Sequence, residues 1–159
     1  MAEAINLATL LRDDDVLLDT SVETKTALLE AAATHLGQTA GVDSAAILAA
    51  LVNREALGST AISQGVAVPH AGVEGLTTPA GVVYRLARPI AFEASDNKPV
   101  DLVFVLVWPS EKRSGLLATL GGLCRSLRTE AVLRELREAT TSTEVRKILD
   151  ERVSSPPAP

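Results

Sequence analysis

The chain has 159 residues, 47% of them hydrophobic and 22% charged, and a formal net charge of −5. That is enough chain for one domain with a buried core, in a composition typical of globular rather than disordered proteins. The acidic balance argues against nucleic acid as the main partner, and no apolar run approaches the ~18 residues of a membrane span.

The opening MAEAINLATLLRDDD lacks the basic end and long apolar centre of a secretory signal, and one cysteine cannot close an internal disulfide. A cytoplasmic chain without direct membrane insertion is the expectation. With aromatics at 3%, the core has to be built from Ala, Leu and Val.

In chain order, residues 16–18 form a short apolar segment before Thr20-Ser-Val-Glu23, which has the spacing of a capping box. The helix that follows, to about Leu36, sets Leu28, Leu29, Ala32 and Leu36 on one stripe. Asp43 can cap a second helix with Ile47, Leu48, Leu51 and Val52 inward, ending near Gly58. Arg54 and Glu55 fall in its last turn. From Thr60 the periodicity changes. Ala61-Ile62 and Val66-Ala67-Val68 suggest short strands on either side of Gly65, and Val82, Tyr84 and Leu86 alternate with Val83 and Arg85 as a half-buried strand.

Residues 102–108 are seven consecutive apolar residues, the pattern of a strand covered on both faces. Helical periodicity returns over about 113–127, 130–139 and 144–153, the last behind a second capping box, Thr141-Ser-Thr-Glu144. The expected fold class is α/β: one domain over residues 1–153, with a mixed β-sheet flanked by helices on both faces. The end, Ser-Ser-Pro-Pro-Ala-Pro at 154–159, cannot continue a helix and is expected to be a disordered tail.

Two histidines and one cysteine, far apart, give no metal-ligand spacing, and there is no P-loop, dinucleotide fingerprint or nucleophile elbow. No metal or cofactor is therefore expected. Asp13-Asp14-Asp15 reads as a solvated turn, Cys124 as a structural thiol among leucines, and His35 as a partly exposed structural residue beside a helical stripe. His70 is different. It follows Pro69, between Gly65 and Gly72, and its ordinary pKa near about 6.5 leaves a neutral ring nitrogen at pH 7. It reads as a loop histidine presenting a nucleophile; the competing reading is a turn residue bonded to backbone.

Arg54 lies near Gly58, Ser59 and Thr60, a stretch of small residues whose backbone N–H groups and hydroxyls suit an anion, and arginine forks match phosphate. The plain alternative for Arg54 is a cation complementing a helix C-terminus. Charge is uneven along the chain: residues 1–79 carry 3 basic and 10 acidic side chains, residues 111–153 carry 9 and 7. The half holding His70 is the acidic one, which steers a basic protein partner toward it.

Arg54-Glu55, Gly58-Ser59-Thr60 and Val66-Ala-Val-Pro-His70, followed by RLARPIAFEASDNKPVDLVFVLVWP from Arg85 to Pro109, resemble the enzyme IIA domain of the fructose/mannitol class of the bacterial sugar phosphotransferase system. The helical end, SLRTEAVLRELREATTSTEVRKIL, fits without a gap, so the resemblance covers nearly the whole chain. It implies a phosphoryl carrier in which His70 accepts phosphate from a phosphohistidine carrier protein and passes it to a downstream protein target or transporter subunit. Arg54 is then the phosphate clamp, with Ser59 and Thr60 as loop donors. The opening stretch and free-standing length resemble the nitrogen-regulatory branch, whose members signal by binding other proteins.

One position departs from the pattern. The family has a second active-site histidine where this chain has Leu116, which can neither donate to phosphate nor bear charge. Lys112, Arg113 and Ser114 lie just upstream as substitutes, or as solvated loop residues. The departure also admits a function of another class, a non-transferring protein-binding or sensor module on the same fold.

Overall fold

Strand β6 (Val100–Pro109) is apolar along nearly its whole length because it has helices on both sides. The computed structural model describes residues 4–153; the expected tail at 154–159 lies outside them. Side chains of a strand alternate between faces, so Leu102, Phe104, Leu106 and Trp108 point into one core and Val103, Val105 and Val107 into another. Helices α1 (Leu7–Leu10), α4 (Arg113–Ser126), α5 (Glu130–Glu138) and α6 (Ser142–Ile148) cover the first core. Helices α2 (Lys25–Ala40) and α3 (Ser44–Ala56) cover the second.

The mixed sheet runs β1-β5-β6-β3-β2, where β1 is Val16–Thr20, β2 Ala61–Ser63, β3 Val66–Ala67 and β5 Ala80–Ile90. Strand β4 (His70–Val73) lies on the same side of β6 as β3, farther along it. β5 and β6 are antiparallel, whereas β1 on β5, and β3 and β4 on β6, are parallel.

Several local expectations shift. Thr20 stays in β1, opposite Leu86, and the helix starts four residues later: Thr24 accepts a hydrogen bond from Ala27 N at 3.0 Å. Asp43 caps α3 as expected, accepting from Ala45 N at 3.1 Å, but Val52 is exposed, since Ile47 and Leu51 already fill the inward face. β5 is not half-buried: Val83 enters the first core while Val82, Tyr84 and Leu86 enter the second. Arg85 interrupts that apolar run and donates to the carbonyls of Leu136, Arg137 and Ala139, capping α5. Nor is the whole acidic triplet solvated. Asp15 is buried, accepts from Arg12 N at 2.9 Å and meets His35 Nε2 at 2.7 Å, tying the turn before β1 to α2. Among the described residues no helix is long and apolar enough to cross a membrane.

Gly65 turns the chain from β2 into β3 with φ +80°, and its carbonyl accepts from Asp101 N and Leu102 N. A Cβ there would sit 2.8 Å from Arg137 Nη2 and 3.1 Å from Asp101 Oδ1. Those two groups are ion-paired at 2.8 Å, so the clash falls on a bonded pair. Gly65→Ala is expected to cost about 2 kcal/mol through left-handed strain and this displacement, read as a lower urea midpoint at unchanged slope.

Candidate functional site

His70 opens β4, pairing with Leu106 of β6, rather than sitting in a loop. The preceding Pro69 has no N–H to give, but its carbonyl accepts from Leu106 N at 3.0 Å, which locks the entry to the strand. Ala71 and Val73 point into the second core, so His70 and Gly72 project to the α4 side of the sheet. Nδ1 lies 2.8 Å from the Val68 carbonyl, an acceptor only, so Nδ1 carries the proton and donates it. That assigns the tautomer: Nε2 keeps its lone pair. The ring's proton affinity lies below the ordinary value, first because burial penalises the cation; the Val68 bond opposes this, and the charges of Arg54 and Arg113 add to it.

The stretch from Arg54 to Thr60 supplies the second element of the site. Arg54 Nη1 donates to Gly58 O at 2.9 Å, in part the C-terminal capping role, which leaves its other N–H groups without a hydrogen bond among the described residues. Ser59 Oγ donates to Phe92 O at 2.5 Å and accepts from Ala61 N. Thr60 Oγ1 donates to Glu55 Oε1, and Thr60 N donates to Glu55 Oε2 at 3.3 Å. Both hydroxyl protons are therefore engaged within the protein, pinning the loop. The Glu55 carboxylate is buried and ion-paired with Lys25 Nζ at 2.6 Å, and Lys25 lies 4.8 Å from the centre of the Phe92 ring. This support from α2 was invisible in the sequence, since nothing in the local pattern of Lys25 or Phe92 links either to residue 55.

The third element comes from the other face. Leu116 is buried in the first core with Phe104, Leu106 and Trp108. Arg113, one turn earlier at the start of α4, is exposed, with Cγ 3.9 Å from where a Cβ on Gly72 would stand. Of the three upstream candidates, Arg113 is the one whose charge acts on the His70 ring. Cys124, farther along α4, is half-buried and its thiol is pushed up by burial, which keeps it protonated.

Such a lone pair, near two fixed cations and braced from behind, suits attack on an anionic electrophile, and guanidinium forks match phosphate geometry. The fold and this geometry define a mixed α/β domain with a histidine at a sheet edge, where α3 of one layer ends and α4 of the other begins.

The family model for the phosphoenolpyruvate-dependent sugar phosphotransferase system, EIIA 2, matches residues 9–152, and the chain belongs to that family. It is 33% identical over 153 residues to the nitrogen regulatory protein of Klebsiella oxytoca, spanning 96% of this chain and 94% of that one. The crystal structure of nitrogen regulatory protein IIA-Ntr from Neisseria meningitidis superposes with a TM-score of 0.86 at 32% identity, covering 89% of this chain and 97% of that one. The fold is shared, at 20% identity and a TM-score of 0.76, with mannitol enzyme IIA of Escherichia coli in its complex with phosphorylated enzyme IIB, covering 89% and 98% of the two chains.

The lowered proton affinity of His70 has a sign in stability. Between the ordinary value of 6.5 and the lowered folded value, the unfolded chain binds a proton that the folded chain does not. Stability is thus fully present above about pH 6.5 and is lost as pH falls through that value toward the folded one. The expected result is a His70 ring titration by NMR with its midpoint below 6.5. The accompanying loss of stability on acidification is expected to be smaller in His70→Ala.

Proposed function

We propose that this chain is a phosphoryl carrier of the phosphotransferase system, with His70 Nε2 as the acceptor and a histidine-phosphorylated carrier protein as the donor. The observation that carries the reading is the Nδ1–H to Val68 bond, which leaves Nε2 unprotonated in the field of Arg54. The lone pair of Nε2 attacks phosphorus in line as the donor's P–N bond breaks, and the electron pair of that bond stays on the donor's imidazole. The donor ring leaves as neutral imidazole because its other nitrogen carries a proton, so neither ring gains or loses one during transfer. The phosphorylated His70 ring is cationic, with Nδ1–H still given to Val68 and the Glu55 carboxylate nearby to favour positive charge.

Arg54 holds the equatorial oxygens through its free N–H groups, so catalysis is positioning and charge stabilisation. Ser59 and Thr60 hold the loop that presents Arg54, and their hydroxyls become phosphate donors only by giving up Phe92 O and Glu55. Because a phosphoramidate is made from a phosphoramidate of similar energy, the step is a relay and not a multi-turnover reaction.

The role is regulatory, in keeping with the nitrogen regulatory names of the relatives, and cytoplasmic. The downstream partner is a target protein or a transporter subunit; mannitol enzyme IIA of Escherichia coli forms a complex with phosphorylated enzyme IIB. The test is intact-mass spectrometry after incubation with phosphoenolpyruvate, enzyme I and the phosphocarrier protein. One acid-labile phosphoryl group is expected, absent in His70→Ala and formed about tenfold or more slowly in Arg54→Ala. No gain, while an active family member in the same tube is labelled, would overturn the relay in favour of a non-transferring binding or sensor module.

A further inference from the structure

We propose that Arg113 is a phosphoryl-contacting residue of this site, its guanidinium taking the oxygens of the group on His70 from the α4 side as Arg54 does from the α3 side. The inference deepens the phosphoryl-carrier reading and rests on it for the identity of the anion. His70 and Gly72 project from the same face of β4, about 7 Å apart as alternate strand residues are. Arg113 lies over that face: its Cγ is 3.9 Å from the Cβ position of Gly72, while Ser110 Cα is 3.3 Å away on the same side. Gly72 thus leaves room for the turn Ser110–Lys112 and the first residue of α4 to close onto the strand. The bonds beyond Cγ are long enough to span most of that separation, and the Arg113 charge acts on the His70 ring.

The Arg113 side chain makes no hydrogen bond or ion pair among the described residues. Many other arginines in this protein are committed: Arg85 to the end of α5, Arg137 to Asp101, Arg146 to Asp13 and Arg152 to Glu135. An uncommitted fork over the nucleophile's face, its charge already acting on that ring, is suited to an anion that arrives with a partner. Leu116, one turn on, seals the core below it.

The test uses phosphoramidate, a small phosphoryl donor that needs no partner protein, on the intact chain at neutral pH, with His70→Ala as the blank. One acid-labile phosphoryl group on the natural chain is expected, accumulating about tenfold more slowly in Arg113→Ala, with Arg113→Lys intermediate because it offers a charge without the fork. Arg113→Met keeps the aliphatic packing over Gly72 without the charge and is expected to match Arg113→Ala, so it decides the matter if the alanine variant alters folding. Labelling of both uncharged variants at the natural rate, or none of the natural chain, would overturn the proposal. Arg113-dependent labelling by phosphoramidate with no transfer from the phosphocarrier would sink the relay and leave the contact standing. Equal transfer from the phosphocarrier with and without the arginine charge would do the reverse.

Discussion

The constraint from which the rest follows is that β6 must be covered on both faces. A run such as LVFVLVW cannot leave either side wet: each fully buried valine or leucine side chain contributes about 1.5–3 kcal/mol by leaving water. Helices are therefore required above and below, and the sheet must place β6 between neighbours, with β5 on one side and β3 and β4 sharing the other. Where β3 stops and β4 begins, Val68 and Pro69 cross a short gap in strand pairing. Val68 N is held by Thr60 O, and Pro69 O by Leu106 N. The Val68 carbonyl is left for a side chain, and the His70 ring takes it. The tautomer of the His70 ring is thus a consequence of how the sheet edge satisfies its backbone groups.

That edge is also where helices of opposite layers meet. α3 ends there with Arg54 and Glu55, and α4 begins there with Arg113. Two cations beside a neutral imidazole depress its basicity, and burial depresses it more. Taken alone this would make a poor nucleophile, because nucleophilicity falls with basicity. The Val68 carbonyl and the Glu55 carboxylate work the other way, supporting positive charge on the ring. The buried Glu55 oxygens are themselves satisfied by Lys25 and Thr60.

Much of the fold was legible in the residues because the strongest signals are periodic. The seven-residue apolar run, the stripe of α2 and the Asp43 cap each describe a local requirement that the tertiary structure meets. Misreadings arose where a local motif competed with sheet register. Thr20-Ser-Val-Glu23 has capping-box spacing, yet pairing with β5 keeps Thr20 extended and Thr24 takes the cap. Alternation in β5 pointed to one wet face, but valine and tyrosine on opposite faces both found cores. Asp15 looked like one of three solvated carboxylates because its partner, His35, is distant in sequence. His70 and Arg54 stood out through chemistry and resemblance. The buried brace of Lys25 and Phe92 did not, since it rests on contacts between separate elements.

The departure at Leu116 is a trade between layers of the same helix. On α4 the residue at 116 faces Phe104, Leu106 and Trp108, and a leucine there adds to the core what an imidazole would have to be desolvated and hydrogen-bonded to match. One turn earlier the helix has passed the edge of that core and faces β4 where Gly72 removes the side chain in its way. A cation at 113 can reach the histidine from solvent and keep its guanidinium hydrated until a partner closes over it. Leu116 thus serves the packing of the helix, while Arg113 stands one turn earlier, beyond that core.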